Sequence, residues 1–226
     1  MSKVEFLQSV PIFSDLSDET LKKISDKMVT RSYTKGQMIL LEDAAGETFF
    51  VMSSGSVKVT RLSGEGREVI LAILGEGDFF GEMSLLDGEG RSANIVSIND
   101  SEVLTLTRGD FLDILETFPK IAISFLEELA RRLRKSDQQI ESLSLADADQ
   151  RIGMVLVRLA EELGTIKQGN VSIKNFPFQQ DIANMAGTSR ETVSRTLRVL
   201  EDNGYMSRKA KTLIIYNFDF FQKNFS

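Results

Sequence analysis

The sequence predicts an α+β chain in three parts: an N-terminal antiparallel β-roll over residues 1–117, a long helix over 118–147 and a C-terminal winged helix-turn-helix over 148–226. Three observations predict it. Six short apolar runs between residues 38 and 107 follow one another with glycines, and no helical segments, between them, as antiparallel strands joined by tight turns do. A helical pattern then continues beyond Pro119 to about Leu145, well past the ~11–12 residues of an average helix. QQDIANMAGTSRETVSRTLRVLEDNGY at 179–205 reads as helix, glycine turn, helix. At 226 residues the chain is long enough for two domains with cores of their own.

Taken in order, SDETLKKISDKM (17–28) is a first helix, with Ser17 suited to an N-cap and Glu19 to the first turn. The strands are MILLE (38–42), TFFVM (48–52), SVKVTRL (56–62), REVILAIL (67–74), ANIVSI (93–98) and EVLTLT (102–107), with Gly36, Gly46, Gly55, Gly64, Gly66 and Gly75 between or beside them. From Phe111 the period lengthens to that of a helix. Leu126, Leu129, Leu133, Ser136, Ile140 and Leu143 then recur at alternating spacings of three and four, a heptad seam with one polar member. Such a seam packs on the helix's own domain or on the same helix of a second copy, and its narrowness favours the second: a dimerisation helix in a homodimer. Helical character returns over Asp149–Leu163, with the boundary placed near Asp147. Gly164 and Gly169 bracket a turn, and NVSIKNFPF (170–178) is a short strand.

Composition narrows the chemistry. There is no cysteine and no histidine, which removes thiolate metal sites, cysteine-ligated iron–sulfur clusters and the commonest general base. No metal is expected and no enzyme. No apolar stretch reaches the ~18 residues of a membrane span, and the N-terminus lacks a signal pattern, so a cytoplasmic protein without membrane contact is expected. The net charge of −6 is unevenly spread: residues 171–226 carry eight Lys+Arg against five Asp+Glu, and the remainder is net −9. Only the terminal part suits nucleic acid.

FGEMSLLDGEGRSA (80–93) sets an acidic residue nine places ahead of an arginine and a serine, a spacing that suits a sugar-phosphate ligand. Arg91 can grip two phosphate oxygens with its planar fork, and Ser92 can add a neutral donor. Glu82 beside a phosphate makes sense if it accepts a hydrogen bond from a sugar hydroxyl. Gly81 admits the backbone closely, and the turn at Met83 and Ser84 aims its first N–H groups at an anion. The plainer alternative is an Arg91–Glu82 salt bridge across a loop.

In the helix-turn-helix, Ile182 and Met185 face Val193, Leu197 and Leu200. With Thr188 as N-cap, the second helix presents Arg190, Glu191, Ser194, Arg195 and Arg198 on one face. Arginine reads guanine and glutamate accepts from the cytosine amine, whereas Arg198, Gln180 and Ser189 suit phosphates. A capping box turning Glu191 back to Thr188 is the alternative. RKAKTLIIY (208–216) supplies a wing whose Arg208, Lys209 and Lys211 suit the DNA backbone.

On these segments, and from VPIFSDLSDETL (10–21) to the terminal strands, the chain resembles the cyclic-AMP receptor protein and fumarate-and-nitrate regulator family of bacterial transcription factors. The resemblance implies a β-roll of the cyclic-nucleotide-binding type, with Glu82 on the ribose hydroxyl and Arg91 and Ser92 on the cyclic phosphate. Matching LARRLRKSDQQ (129–139) puts Ser136 and Asp137 at the purine: Ser136 pairs with the adenine amine, while Asp137 serves that amine or the N1–H and N2–H of guanine. Cyclic AMP is thereby favoured and cyclic GMP remains compatible. SRETV with Arg195 matches a helix that reads a TGTGA-like half-site through Arg190, Glu191 and Arg195; Glu191, Ser194 and Arg195 equally match the E-x-x-S-R pattern that implies TTGAT. The family's iron–sulfur and histidine-ligated haem sensors lack their ligands here. The implied protein is a homodimeric regulator switched by a cyclic nucleotide, with a pseudo-palindromic double-stranded operator and RNA polymerase as partners. The alternatives are a constitutive or cyclic-dinucleotide regulator of the same family, and a sensor module acting through protein partners.

Overall fold

The computed structural model describes residues 2–225. Two compact units divide the chain: residues up to Arg67 with Leu71–Lys135, and Ser136 onward with Glu68–Ile70. In the first, helices α1 (Lys3–Ser9) and α2 (Asp18–Lys27) precede eight strands, β1 (Val29–Tyr33), β2 (Met38–Leu40), β3 (Thr48–Ser54), β4 (Val57–Leu62), β5 (Glu68–Leu74), β6 (Phe79–Phe80), β7 (Asn94–Ser97) and β8 (Ser101–Thr107). They form two four-stranded sheets, β1-β8-β3-β6 and β2-β7-β4-β5. A one-turn helix, α3 (Met83–Asp87), interrupts them, and α4 (Arg108–Thr117) and α5 (Pro119–Leu145) follow.

The antiparallel roll expected from the sequence is present, and its core explains why TFFVM is a continuous apolar run rather than an alternating one. Phe49 and Val51 of β3 pack with Phe79, Leu85, Phe111 and Phe125 toward the helices, while Phe50 and Met52 pack with Val57, Phe80, Ile95 and Val103 inside the roll. A strand buried on both faces loses the period-two signal. Ser17 caps α2, as its sequence predicts. Other elements escape the pattern. VTRSY is a mostly exposed strand paired only with β8 in its sheet, β6 has two residues, and α1 is set by a capping box between Ser2 and Glu5. α4 begins at Arg108 rather than Phe111, because the Thr107 hydroxyl accepts from the Asp110 N–H.

In the second unit, α6 (Ala148–Leu163) is N-capped by Asp147. Gly164 belongs not to a turn but to strand β9 (Gly164–Lys167), and the turn into β10 (Asn170–Lys174) falls on Gln168 and Gly169, both with positive φ. Helices α7 (Gln179–Ala186) and α8 (Arg190–Asp202) lead into the hairpin of β11 (Met206–Lys209) and β12 (Thr212–Ile215). The sheet order is β11-β12-β10-β9. The chain does not finish on strands: α9 (Phe218–Phe225) follows, with Phe218 and Phe221 buried. Among the described residues no helix is long and apolar enough to cross a membrane, and no three or more Asp or Glu side chains are grouped to hold a metal ion.

Candidate functional site

Strand β6 delivers its chain into a tight corner at Gly81, whose φ of +80° is a left-handed conformation that glycine adopts without strain. A β-carbon there would sit 2.8 Å from Arg91 Nη1 and 3.0 Å from the Thr48 carbonyl oxygen, and one at Gly46 would overlap the Arg91 guanidinium. The two glycines therefore make room for one side chain. Arg91 is 5% exposed. Its Nη1 donates to the Gly81 carbonyl at 2.6 Å and to the Ser84 hydroxyl at 2.9 Å, and its Nη2 donates to the Thr48 carbonyl at 2.9 Å. Nε is buried with no hydrogen-bond partner.

Of the five guanidinium N–H groups, three are thus engaged by the protein, and the Nε proton and one on Nη2 are not. A buried unsatisfied donor is uncommon in folded proteins, and a charged one more so. It fits an anionic acceptor. Burial pulls the Arg91 pKa below its ordinary value, against the opposing fields of Glu82 and then Glu47. Glu82, 6% exposed, is held above its ordinary value by burial, which outweighs the attraction of Arg132 and a smaller one of Arg91.

The ion pair on Glu82 comes from Arg132 of α5, whose Nη1 lies 3.3 Å from Oε1, rather than from Arg91 across the loop. Arg132 also donates to the Phe79 carbonyl at 2.8 Å and places its guanidinium carbon 4.1 Å from the centre of the Phe79 ring. Sequence reasoning missed this residue. The basic run around it was visible, but nothing local indicates a partner fifty positions away. Of the other expected residues, Ser84 is buried and bonded to Arg91, whereas Met83 and Ser92 are exposed. Ser136 and Asp137 lie exposed on α5, in the segment that clusters with the second unit.

In the second unit Arg151 of α6 fixes the helix-turn-helix corner, donating to the carbonyls of Ala186 at 2.8 Å and Gly187 at 3.3 Å. Ile182, Val193, Leu197 and Leu200 are buried between the helices. The N-cap of α8 is Ser189, not Thr188: its hydroxyl accepts from the Thr192 N–H at 3.1 Å. Glu191 is therefore the second helical residue and is not in a capping box with Thr188. Its pKa is lowered by its own backbone N–H, then by the Ser189 hydroxyl and the charge of Arg190.

Arg190, Glu191, Ser194, Arg195 and Arg198 are all exposed and, with Gln179, line one open cleft of about 550 Å³. Gln179, at the first position of α7, was not singled out in the sequence because its place beside α8 depends on how the two helices pack. Gln180 is exposed, with Nε2 donating to Asn184 at 2.9 Å. In the wing Lys209 and Lys211 are exposed. Arg208, expected to face DNA, is instead half-buried and held by Glu201, 2.5 Å from its Nη2.

Comparison with known proteins matches this architecture. Residues 30–118 match the family model for the cyclic nucleotide-binding domain, and residues 150–222 that for the Crp-like helix-turn-helix domain. The chain is 36% identical over 199 residues to the cyclic AMP receptor protein of Thermus thermophilus, covering 88% of each chain. It is 33% identical over 202 residues to the cAMP-activated global transcriptional regulator CRP of Pasteurella multocida, covering 88% of this chain and 95% of that one. The structure of the c-di-GMP responsive global regulator CLP of Xanthomonas campestris shares the fold, with a TM-score of 0.74 at 23% identity over 88% of this chain and 99% of that chain. The chain belongs to the CRP/FNR family, that of the cyclic-AMP receptor protein and the fumarate-and-nitrate regulators: it is a DNA-binding transcription regulator that carries a cyclic nucleotide-binding domain.

Proposed function

We propose that this regulator works as a homodimer whose affinity for a pseudo-palindromic operator is set by a cyclic nucleotide, with cyclic AMP favoured and cyclic GMP the alternative. The observation that carries the reading is the unpartnered Nε of buried Arg91. A cyclic phosphate offers two oxygens to the free donors of that guanidinium, and the ribose hydroxyl offers a donor to Glu82. The name of the Thermus relative supports cyclic AMP. Leu126, Leu133, Ile140 and Leu143 are each more than half exposed along α5, a stripe that a second copy of the helix would cover. Ser136 and Asp137 are proposed as the base-selecting pair: Ser136→Ala and Asp137→Asn should alter the ratio of cyclic AMP to cyclic GMP affinity.

For the ligand to act as a switch it must bind the DNA-competent state more tightly than the other. On the DNA side, Arg190, Glu191, Ser194 and Arg195 are proposed as base readers, and Gln180, Ser189, Arg198 and Lys211 as phosphate contacts. Arg195→Ala should cost about 1–3 kcal/mol and relax one base pair, whereas Lys211→Ala should weaken all sequences alike. The test is selection of bound DNA from a random pool with each cyclic nucleotide and without, alongside titration calorimetry. A ligand-dependent pseudo-palindrome with TGTGA-like or TTGAT-like halves is expected. Equal enrichment in all three conditions, together with no heat of ligand binding, would overturn the reading.

A further inference from the structure

The open cleft along the recognition helix is lined by five residues of α8 and by one from outside it, Gln179 at the first position of α7. Gln179 is half-buried beside the α8 side chains, whereas its neighbour Gln180 is exposed. Their carboxamides differ in partners too. Gln180 Nε2 donates to Asn184, while the side chain of Gln179 makes no hydrogen bond among the described residues.

The position of this carboxamide is specific. Gln179 lines a second, smaller cleft together with Arg190, the residue that opens α8. It therefore stands by the N-terminal end of the recognition helix, the end whose residues meet base edges in a helix-turn-helix. Gln180 has the outer place.

The charged groups that line the cleft with it are one-sided. An arginine offers donors only and an ionised glutamate acceptors only, which suits the two acceptors of guanine and the amine of cytosine. A carboxamide carries an acceptor and donors side by side on one plane, and the major-groove edge of adenine answers it with the N7 acceptor and the N6 amine. A phosphate oxygen would engage only the donor half and leave the carbonyl oxygen facing negative charge. We propose that Gln179 reads an adenine beside the base pair contacted by Arg190, adding an A·T-specific contact to a surface whose charged members suit G·C. The inference rests on the operator reading of α8 and is independent of which small molecule occupies the other unit.

The probe is 7-deazaadenine, which pairs with thymine as adenine does but has a C–H in place of N7. Each adenine of the selected operator is replaced in turn, and binding is measured for the full-length wild type, Gln179→Ala and Gln179→Glu under the condition that enriched the operator. At one adenine per half-site the replacement should weaken the wild type about 2- to 10-fold, the scale of one neutral hydrogen bond. Gln179→Ala should be indifferent to it. Exchanging that A·T pair for another should cost the wild type about 5- to 150-fold and Gln179→Ala much less. Gln179→Glu keeps the side-chain shape and suits a helix N-terminus, yet it loses the donor to N7, so its preference should move from adenine to cytosine, whose amine a carboxylate accepts. The inference fails if no adenine separates wild type from Gln179→Ala, if Gln179→Glu keeps the adenine preference, or if Gln179→Ala weakens specific and random DNA alike, as loss of a phosphate contact would. In each of those cases a sequence-selective wild type leaves the operator reading standing. Absence of any sequence-selective binding by the wild type would overturn both.

Discussion

Replacing Arg91 by lysine keeps the charge and removes the planar fork. In the folded protein the guanidinium satisfies two backbone carbonyls and the Ser84 hydroxyl from two separate nitrogens. A lysine ammonium reaches one point, leaving one or two of these acceptors unpaired at about 1–3 kcal/mol each, less whatever water recovers. Stability should fall by about 1–4 kcal/mol in urea unfolding. Ligand binding loses more specifically. Two charge-assisted hydrogen bonds at about 1.5–3 kcal/mol each amount to roughly 3–6 kcal/mol, or about 10²- to 10⁴-fold in affinity. The retained charge offsets part of this, so the lower end is expected when cyclic AMP is titrated calorimetrically. A variant that shows the stability loss yet binds cyclic AMP within about threefold of wild type would make Arg91 a structural strut and refute its role as the phosphate grip.

Three further outcomes follow from the same structure. Glu82→Gln should relieve a buried carboxylate: because burial raises the Glu82 pKa above its ordinary 4.5, wild-type stability relative to the variant should fall as pH rises from there through the raised value, and the difference should vanish in acid. Gly153→Ala should destabilise by about 1–2 kcal/mol although alanine is the better helix former, because its β-carbon would overlap the Phe225 ring; thermal unfolding of the double variant with Phe225→Ala should recover part of the loss. Glu201→Ala should cost about 1 kcal/mol by releasing Arg208 and its backbone N–H. The Arg208 hydrogen bond lowers the Glu201 pKa, so its contribution is present above the ordinary carboxylate value and lost as pH falls through the lowered one, and wild type and variant should converge in acid.

What the sequence by itself determined are the features set by local geometry. The alignment of Arg190, Glu191, Ser194, Arg195 and Arg198 on one face needs only the helical period, and all five do line one cleft. The glycine-separated strands and the corner at Gly81 were likewise legible, because turns and two-residue periods are properties of a few adjacent residues. Elements without a periodic apolar signal escaped: β1 is a mostly exposed strand, β6 has two residues, and the α8 cap shifted by one residue because Ser189 and Thr188 are chemically alike.

Tertiary structure alone decided which charges meet. Glu82 and Arg132 pair across fifty residues, Arg91 engages three of its donors within the protein, and Arg208 turns from the wing face to Glu201. Each of these is a competition between partners brought together by chain closure and burial. A side chain's type states what it can bond, but the desolvation and distances that choose its partner exist only once the chain has folded.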